Sequence, residues 1–146
     1  MFAFQDLDLD LDLDLVVDFE QKRLRGKVSL HIDNLSHADT LSIDTRDLEI
    51  EKITLGPQER ATNFLKGDTV EHLGEPLSIG IRPETRLVHI YYRTSPLAAA
   101  LQWLEPEQTA GKNRPFLVSQ SQAVLARSWI PCQDTPSVRM TYTARV

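Results

Sequence analysis

One cysteine in 146 residues leaves no partner for a disulfide within the chain. The fold must therefore rest on core burial, and the composition suits a reducing, cytoplasmic setting. Basic excess is absent too. Sixteen Lys and Arg face twenty-one Asp and Glu, a net charge of −5. With no basic stripe to follow a phosphate backbone, nucleic acid is not an expected partner. No apolar run nears the roughly 20 residues of a membrane-spanning helix, so no membrane partner is expected. The opening MFAFQDLDLD has neither the basic start nor the long apolar stretch of a secretory leader, and the Asn34-Leu35-Ser36 sequon is then expected to be idle.

Catalytic motifs are equally scarce. His31, His37, His72 and His89 are scattered, and no H-E-x-x-H occurs. A zinc peptidase helix needs two histidines on one face with a glutamate between them. Each histidine is therefore expected to be structural or solvated. Cys132 has no adjacent base or cation to stabilise a thiolate and reads as a small apolar filler. Ser119, Ser121 and Ser128 lie outside any G-x-S-x-G elbow, which argues against a serine hydrolase.

What the chain does have is a period of two. Leu7 to Leu15 alternates with Asp8 to Asp14, and Val28, Leu30 and Ile32 alternate after Gly26, which is expected to close a turn. Leu41 and Ile43, Leu48 and Ile50, Ile53 and Leu55, and Leu77 to Ile81 follow the same rule, and Pro83 stops the last of these runs. Arg86 to Arg93 is apolar or aromatic on both faces, as in a central strand. Val138 to Val146 forms a final strand. Helical spacing is confined to a short turn within Gln120 to Trp129, and Thr94 to Pro115 reads as a long connection. These features predict an all-β fold, a twisted multi-sheet β-sandwich of many short, mostly antiparallel strands, with residues 1–146 forming a single domain.

The Leu-Asp ladder places aspartates about 6.6 Å apart on one strand face. An EF-hand would need glycine and glutamate where Leu11 and Val17 stand, so calcium is not indicated. The ladder reads as the solvated face of an outer strand, its charge discouraging edge pairing. Mutual repulsion should then raise the pKa values of Asp8, Asp10, Asp12 and Asp14, and acid should promote association.

Two segments near the end carry the polar chemistry. In Ser119-Gln120-Ser121-Gln122-Ala123, an extended backbone would point Gln120 and Gln122 the same way. An amide oxygen there can accept a hydrogen bond from an ammonium group. In Pro131-Cys132-Gln133-Asp134-Thr135-Pro136, two prolines fix φ on either side of Asp134. The Asp134 carboxylate can cap backbone N–H groups or pair with Arg127.

Those two blocks, with Gln102-Trp103-Leu104 and Thr109 to Lys112, resemble the amino-terminal domain of the aminopeptidase N-type zinc metallopeptidases, in the leukotriene A(4) hydrolase branch. Asp18-Phe19, Leu24-Arg25-Gly26 and Leu41 to Ile53 extend the likeness more weakly. The resemblance implies a saddle-like all-β domain of a larger enzyme that removes N-terminal residues from peptides. The peptide substrate and the catalytic and C-terminal domains of the same polypeptide would be its partners. Zinc would belong to the parent enzyme and none to this chain, which alone would be inactive. Gln122 would hold the substrate α-amine, with Gln120 and Ser121 beside it. Arg127, Pro131, Asp134 and Pro136 would form a scaffolding corner. Ser121 stands where the animal enzymes carry cysteine, and an epoxide hydrolase side activity would depend on residues elsewhere. The alternative is a stand-alone β-sandwich binding module for protein or carbohydrate. The glutamine pair and corner, in place of an aromatic sugar platform, and the end of the chain on a strand favour the enzyme domain.

Overall fold

Alternating apolar residues build three sheets around one core. The structure, a computed structural model, describes residues 9–146, so Asp8 of the ladder lies outside the described residues. The strands are β1 (Leu9–Asp18), β2 (Arg23–His31), β3 (Thr40–Thr45), β4 (Glu49–Leu55), β5 (Arg60–Ala61), β6 (Phe64–Lys66), β7 (Glu75–Gly80), β8 (Leu87–Arg93), β9 (Leu101–Leu104), β10 (Phe116–Ser119) and β11 (Met140–Arg145). The largest sheet runs β11-β1-β2-β8-β4-β5, the second β3-β7-β6, and β9 and β10 form a separate hairpin. All pairings are antiparallel except β1 with β11. The fold is all-β, as the periodicity predicts.

The core lies between the inner faces of the two larger sheets. Leu11, Leu13 and Leu15 meet Val28, Leu30, Val88, Ile90 and Tyr92 on one side, and Leu41, Ile43, Leu77 and Ile79 on the other. Strand β8 is central, flanked by β2 and β4; Val88, Ile90 and Tyr92 are buried in the core, while its other face is polar-partnered, His89 with Ser29 and Gly56 and Tyr91 beneath Lys52, so burial on both faces is only partial. In β4 the alternation slips. A register shift between Ile50 and Lys52 sets Ile50 opposite Tyr92 and Ile53 opposite Ile90, so a bulge lets residues three apart face the same core.

Three expectations need correction. Gly26 does not close a turn: it lies inside β2, and the turn comes earlier, where the Asp18 carboxylate accepts from the Gln21 N–H. A Cβ on Gly26 would stand 2.0 Å from the Asp14 carbonyl oxygen, so its role is close strand approach. Thr94 to Pro115 is no plain loop, since it contains β9 and a 3-10 turn at Pro106–Gln108. The third correction concerns the acidic strand, which is interior to its sheet, with β2 on one side and β11 on the other.

That position reverses the electrostatics of the ladder. Asp12 accepts from the Thr143 hydroxyl and lies 2.9 Å from His31 Nε2. Asp14 pairs with Arg145, and Lys27 stands opposite it in the register. The Thr143 and His31 hydrogen bonds hold the Asp12 carboxyl below its ordinary value, and Arg145 does the same for Asp14. Mutual repulsion is outweighed because these aspartates find partners on both neighbouring strands. Carboxyls with lowered folded pKa values stabilise above their ordinary pKa and lose that contribution as pH falls further. Backbone amides of β11 are therefore expected to lose hydrogen-exchange protection below about pH 4, while those of β8 keep theirs. Joint Asp12→Asn and Asp14→Asn substitution should remove that pH dependence. Equal protection of β11 at about pH 6 and about pH 3, after correction for intrinsic exchange, would contradict it.

Candidate functional site

The glutamine segment begins where the β9–β10 hairpin ends. Ser119 still pairs with Leu101, and the Gln120 N–H donates to the Ala100 carbonyl at 2.8 Å. The chain then turns. Leu125 N–H donates to the Ser121 carbonyl at 3.0 Å, and a 3-10 turn follows at Ala126–Ser128. The two glutamines are therefore not side by side on an extended strand. Gln120 folds back so that its Oε1 accepts the Gln122 N–H at 3.0 Å. A local side chain-to-backbone bond has replaced the extended form, as polar residues at strand ends allow. The Gln122–Ala123 peptide bond is cis.

The consequence for the amides is unequal. The Gln120 oxygen is occupied inside the turn. The Gln122 side chain is exposed and makes no hydrogen bond among the described residues. Its amide oxygen is the acceptor of this pair open to an outside donor.

The frame around Gln122 is tied at several points. Ala100 uses both of its backbone groups: its carbonyl takes Gln120, and its N–H donates to the Ser128 Oγ at 2.9 Å. That hydroxyl in turn donates to the Leu125 carbonyl at 2.7 Å. The Trp129 indole N–H donates to Ser121 Oγ at 3.0 Å, and the Trp129 carbonyl accepts from the Tyr92 hydroxyl at 2.8 Å. Tyr92 is fully buried in β8, and burial pushes its hydroxyl far above the ordinary range, so it remains a donor. None of Ala100, Ser128, Trp129 and Tyr92 stands out in the sequence. Only folding brings them to the turn.

The corner forms as its residue types imply, with added partners. Asp134 Oδ2 accepts from both the backbone N–H and the Nε of Arg127, at 3.1 and 3.2 Å, so it caps and pairs at once. The same guanidinium donates to the Asp134 carbonyl at 2.7 Å and to the Leu73 carbonyl at 3.0 Å. Asp44 of β3, which the sequence did not mark, lies 3.6 Å from Arg127 and accepts the Asp134 N–H at 3.0 Å. A backbone bridge between Asp44 and Cys132 fastens the segment to the free edge of β3. Pro131 is buried there, and Pro136 is exposed. Cys132 is buried in the core, and burial with the nearby Asp134 and Asp44 charges drives its thiol far up, away from thiolate chemistry.

The zinc that the resemblance implies for the parent has no matching ligand set here. Among the described residues no three His, Cys, Asp or Glu groups converge on a metal position. His89 is committed within the sheet: its Nε2–H donates to the Gly56 carbonyl, which leaves Nδ1 to accept from Ser29. His31 is engaged with Asp12, and exposed His72 stands beside Glu71. Asn34 of the sequon is buried; its amide nitrogen donates to the Ala38 carbonyl at 2.8 Å and its amide oxygen accepts from the Ala38 N–H at 2.9 Å, closing a turn. Two surface hollows lie elsewhere, one along β1, β2 and β11 and one near Leu48 and Leu97.

Fold and site together define an all-β domain with a rigid corner that presents one unpartnered amide on a tied turn. The chain belongs to the peptidase M1 N-terminal domain family, whose profile matches residues 8–146. It is 42% identical over 136 residues to leukotriene A-4 hydrolase of Xenopus laevis, covering 89% of this chain and 22% of that protein. Leucine aminopeptidase 2 of Phaeosphaeria nodorum is 36% identical over 133 residues, covering 87% and 21%. The structure of yeast leukotriene A-4 hydrolase in complex with bestatin superposes with a TM-score of 0.86 at 34% identity, over 95% of this chain and 22% of that one. An M1 zinc metallopeptidase from Deinococcus radiodurans, bound to a Tyr-Ser-Ala substrate, shares the fold at TM-score 0.66 and 18% identity, over 94% and 31%. The chain thus spans about a fifth of the length of the curated relatives it matches.

Proposed function

We propose that this chain is the N-terminal domain of a cytoplasmic, zinc-dependent aminopeptidase that removes N-terminal residues from peptides. In that role it walls one side of the substrate cleft, and Gln122 anchors the free α-amine. The observation that carries the anchor is the open Gln122 amide on a turn where Gln120 Oε1 and Ser121 Oγ are both taken by internal donors. The kinship with leukotriene A-4 hydrolase and leucine aminopeptidase 2 supports the peptidase setting. Zinc and the bond-breaking chemistry fall to the catalytic domain of the full polypeptide.

The test is Gln122→Ala in the full-length enzyme. A hydrogen bond to a charged amine is worth roughly 1.5–3 kcal/mol, so kcat/KM for free-amine peptides is expected to fall about ten- to a hundredfold. Gln122→Glu should retain or improve amine binding, because a carboxylate makes the stronger charge-assisted bond. Zinc content and melting temperature must match the parent enzyme. A change within about twofold for Gln122→Ala would defeat the anchor assignment.

A further inference from the structure

We infer that Ser121 and Trp129 form a positioning pair, a strut that fixes where the Gln122 amide points and so how well the enzyme prefers substrates with a free amine. The inference rests on the anchor reading of Gln122 and adds to it the device that holds the anchor.

The geometry runs from the core outward. Tyr92 is fully buried in the central strand β8, and its hydroxyl holds the Trp129 carbonyl at 2.8 Å. The Trp129 ring packs against the core, so its backbone and its indole are both located by the large sheet. From there the indole N–H reaches back eight residues to Ser121 Oγ at 3.0 Å. Ser121 is the residue between the two glutamines. Its carbonyl already takes the Leu125 N–H, and the next N–H, that of Gln122, is taken by Gln120 Oε1. Among the described residues, the indole bond is thus the one side-chain hydrogen bond that ties Ser121, in the middle of the turn, to a residue packed on the sheet behind it. Without it, Ser121 would be held only by contacts within the turn itself.

Side-chain rotation about a loosened turn is the expected cost. A displacement of an acceptor by a fraction of an ångström or a few tens of degrees weakens a hydrogen bond steeply. The indole N–H and the Ser121 hydroxyl oxygen are spent on each other, so loss of the strut should appear as lost amine preference and leave other binding intact. A tie of this kind serves preorganisation.

The experiment uses the full-length enzyme and two competitors with no scissile bond, leucinol and 4-methylpentan-1-ol, which differ by the α-amine alone. The ratio of their inhibition constants reads the amine contact. Ser121→Ala removes the acceptor, and Trp129→Phe removes the donor while keeping an aromatic ring. Each is expected to lower the ratio about three- to tenfold, with 4-methylpentan-1-ol affinity unchanged. The double variant should fall no further than either single one, as for two halves of one interaction. Ser121→Thr, which keeps a hydroxyl, should restore the ratio. If Gln122→Ala lowers the ratio but Ser121→Ala and Trp129→Phe leave it within about twofold, the strut is wrong and the anchor stands. If Gln122→Ala itself leaves the ratio unchanged, the anchor fails and the strut with it. Equal weakening of both inhibitors by Ser121→Ala would overturn the positioning role in favour of general distortion.

Discussion

Arg127→Ala is expected to destabilise the domain by about 3–5 kcal/mol, the cost of breaking a buried ion cluster from one side. Arg127 is 7% exposed and serves four acceptor groups: the Asp134 carboxylate and carbonyl, the Leu73 carbonyl and the Asp44 carboxylate. Truncation leaves Asp134, largely shielded from water, beside Asp44 with no cation between them. Two like charges would then share a poorly solvated site, and the Leu73 carbonyl would lose its donor. The melting temperature should drop by roughly 10 °C for a chain of this size. Joint replacement of Arg127, Asp134 and Asp44 by apolar residues of similar volume should cost less than Arg127→Ala alone, since no unpaired charge remains. Urea unfolding measures both. A loss under about 1 kcal/mol for Arg127→Ala would show that the cluster is solvated and structurally idle.

Tyr92→Ala should be as damaging, about 3–5 kcal/mol, for a different reason. Tyr92 is among the largest fully buried side chains, set opposite Gly26 in β2 and Ile50 in β4. Its removal opens a cavity in the middle of the six-stranded sheet and frees the Trp129 carbonyl. Tyr92→Phe separates the two contributions. The ring stays, one hydrogen bond goes, and the expected loss is about 1 kcal/mol. If Tyr92→Ala costs less than about 2 kcal/mol, the sheet closes over the gap and Tyr92 contributes little to the packing of the core.

Much of this architecture could be read from side-chain alternation. β1, β2, β3 and β7 follow from runs in which every second residue is apolar, because a half-buried sheet requires that pattern, and β8 from a run apolar or aromatic throughout. The corner followed from prolines flanking Asp134, and its pairing with Arg127 forms as those residue types imply. What the alternation could not show was adjacency. Asp12 and Asp14 look like unrelieved negative charge until Thr143 and Arg145, 131 residues later, are placed beside them. Gly26 looks like a turn residue until Asp14 is seen to crowd it. The bulge in β4 makes two strand pairs out of register in the sequence into one continuous strand in space. At the glutamine turn, the local bond from Gln122 N–H to Gln120 competes with extension, and propensity alone does not decide between them. The supports from Ala100, Ser128, Trp129 and Tyr92 carry no motif, since their roles arise from tertiary placement.

The pairing of β1 with β11 also sets an order of events during synthesis. β1 leaves the ribosome early, yet its second neighbour spans Met140–Arg145 and is translated last among the described strands. At about 5–20 residues per second, that neighbour arrives on the order of ten seconds later. Once β8 is complete at Arg93, and until β11 arrives, the six-stranded sheet is a five-stranded one whose border is β1, and the border carries Asp10, Asp12 and Asp14. Charged side chains on an open border hinder strands of other chains from adding to it. The same aspartates then receive Thr143 and Arg145 when the last strand arrives, so a guard against wrong partners becomes the binding surface for the right one.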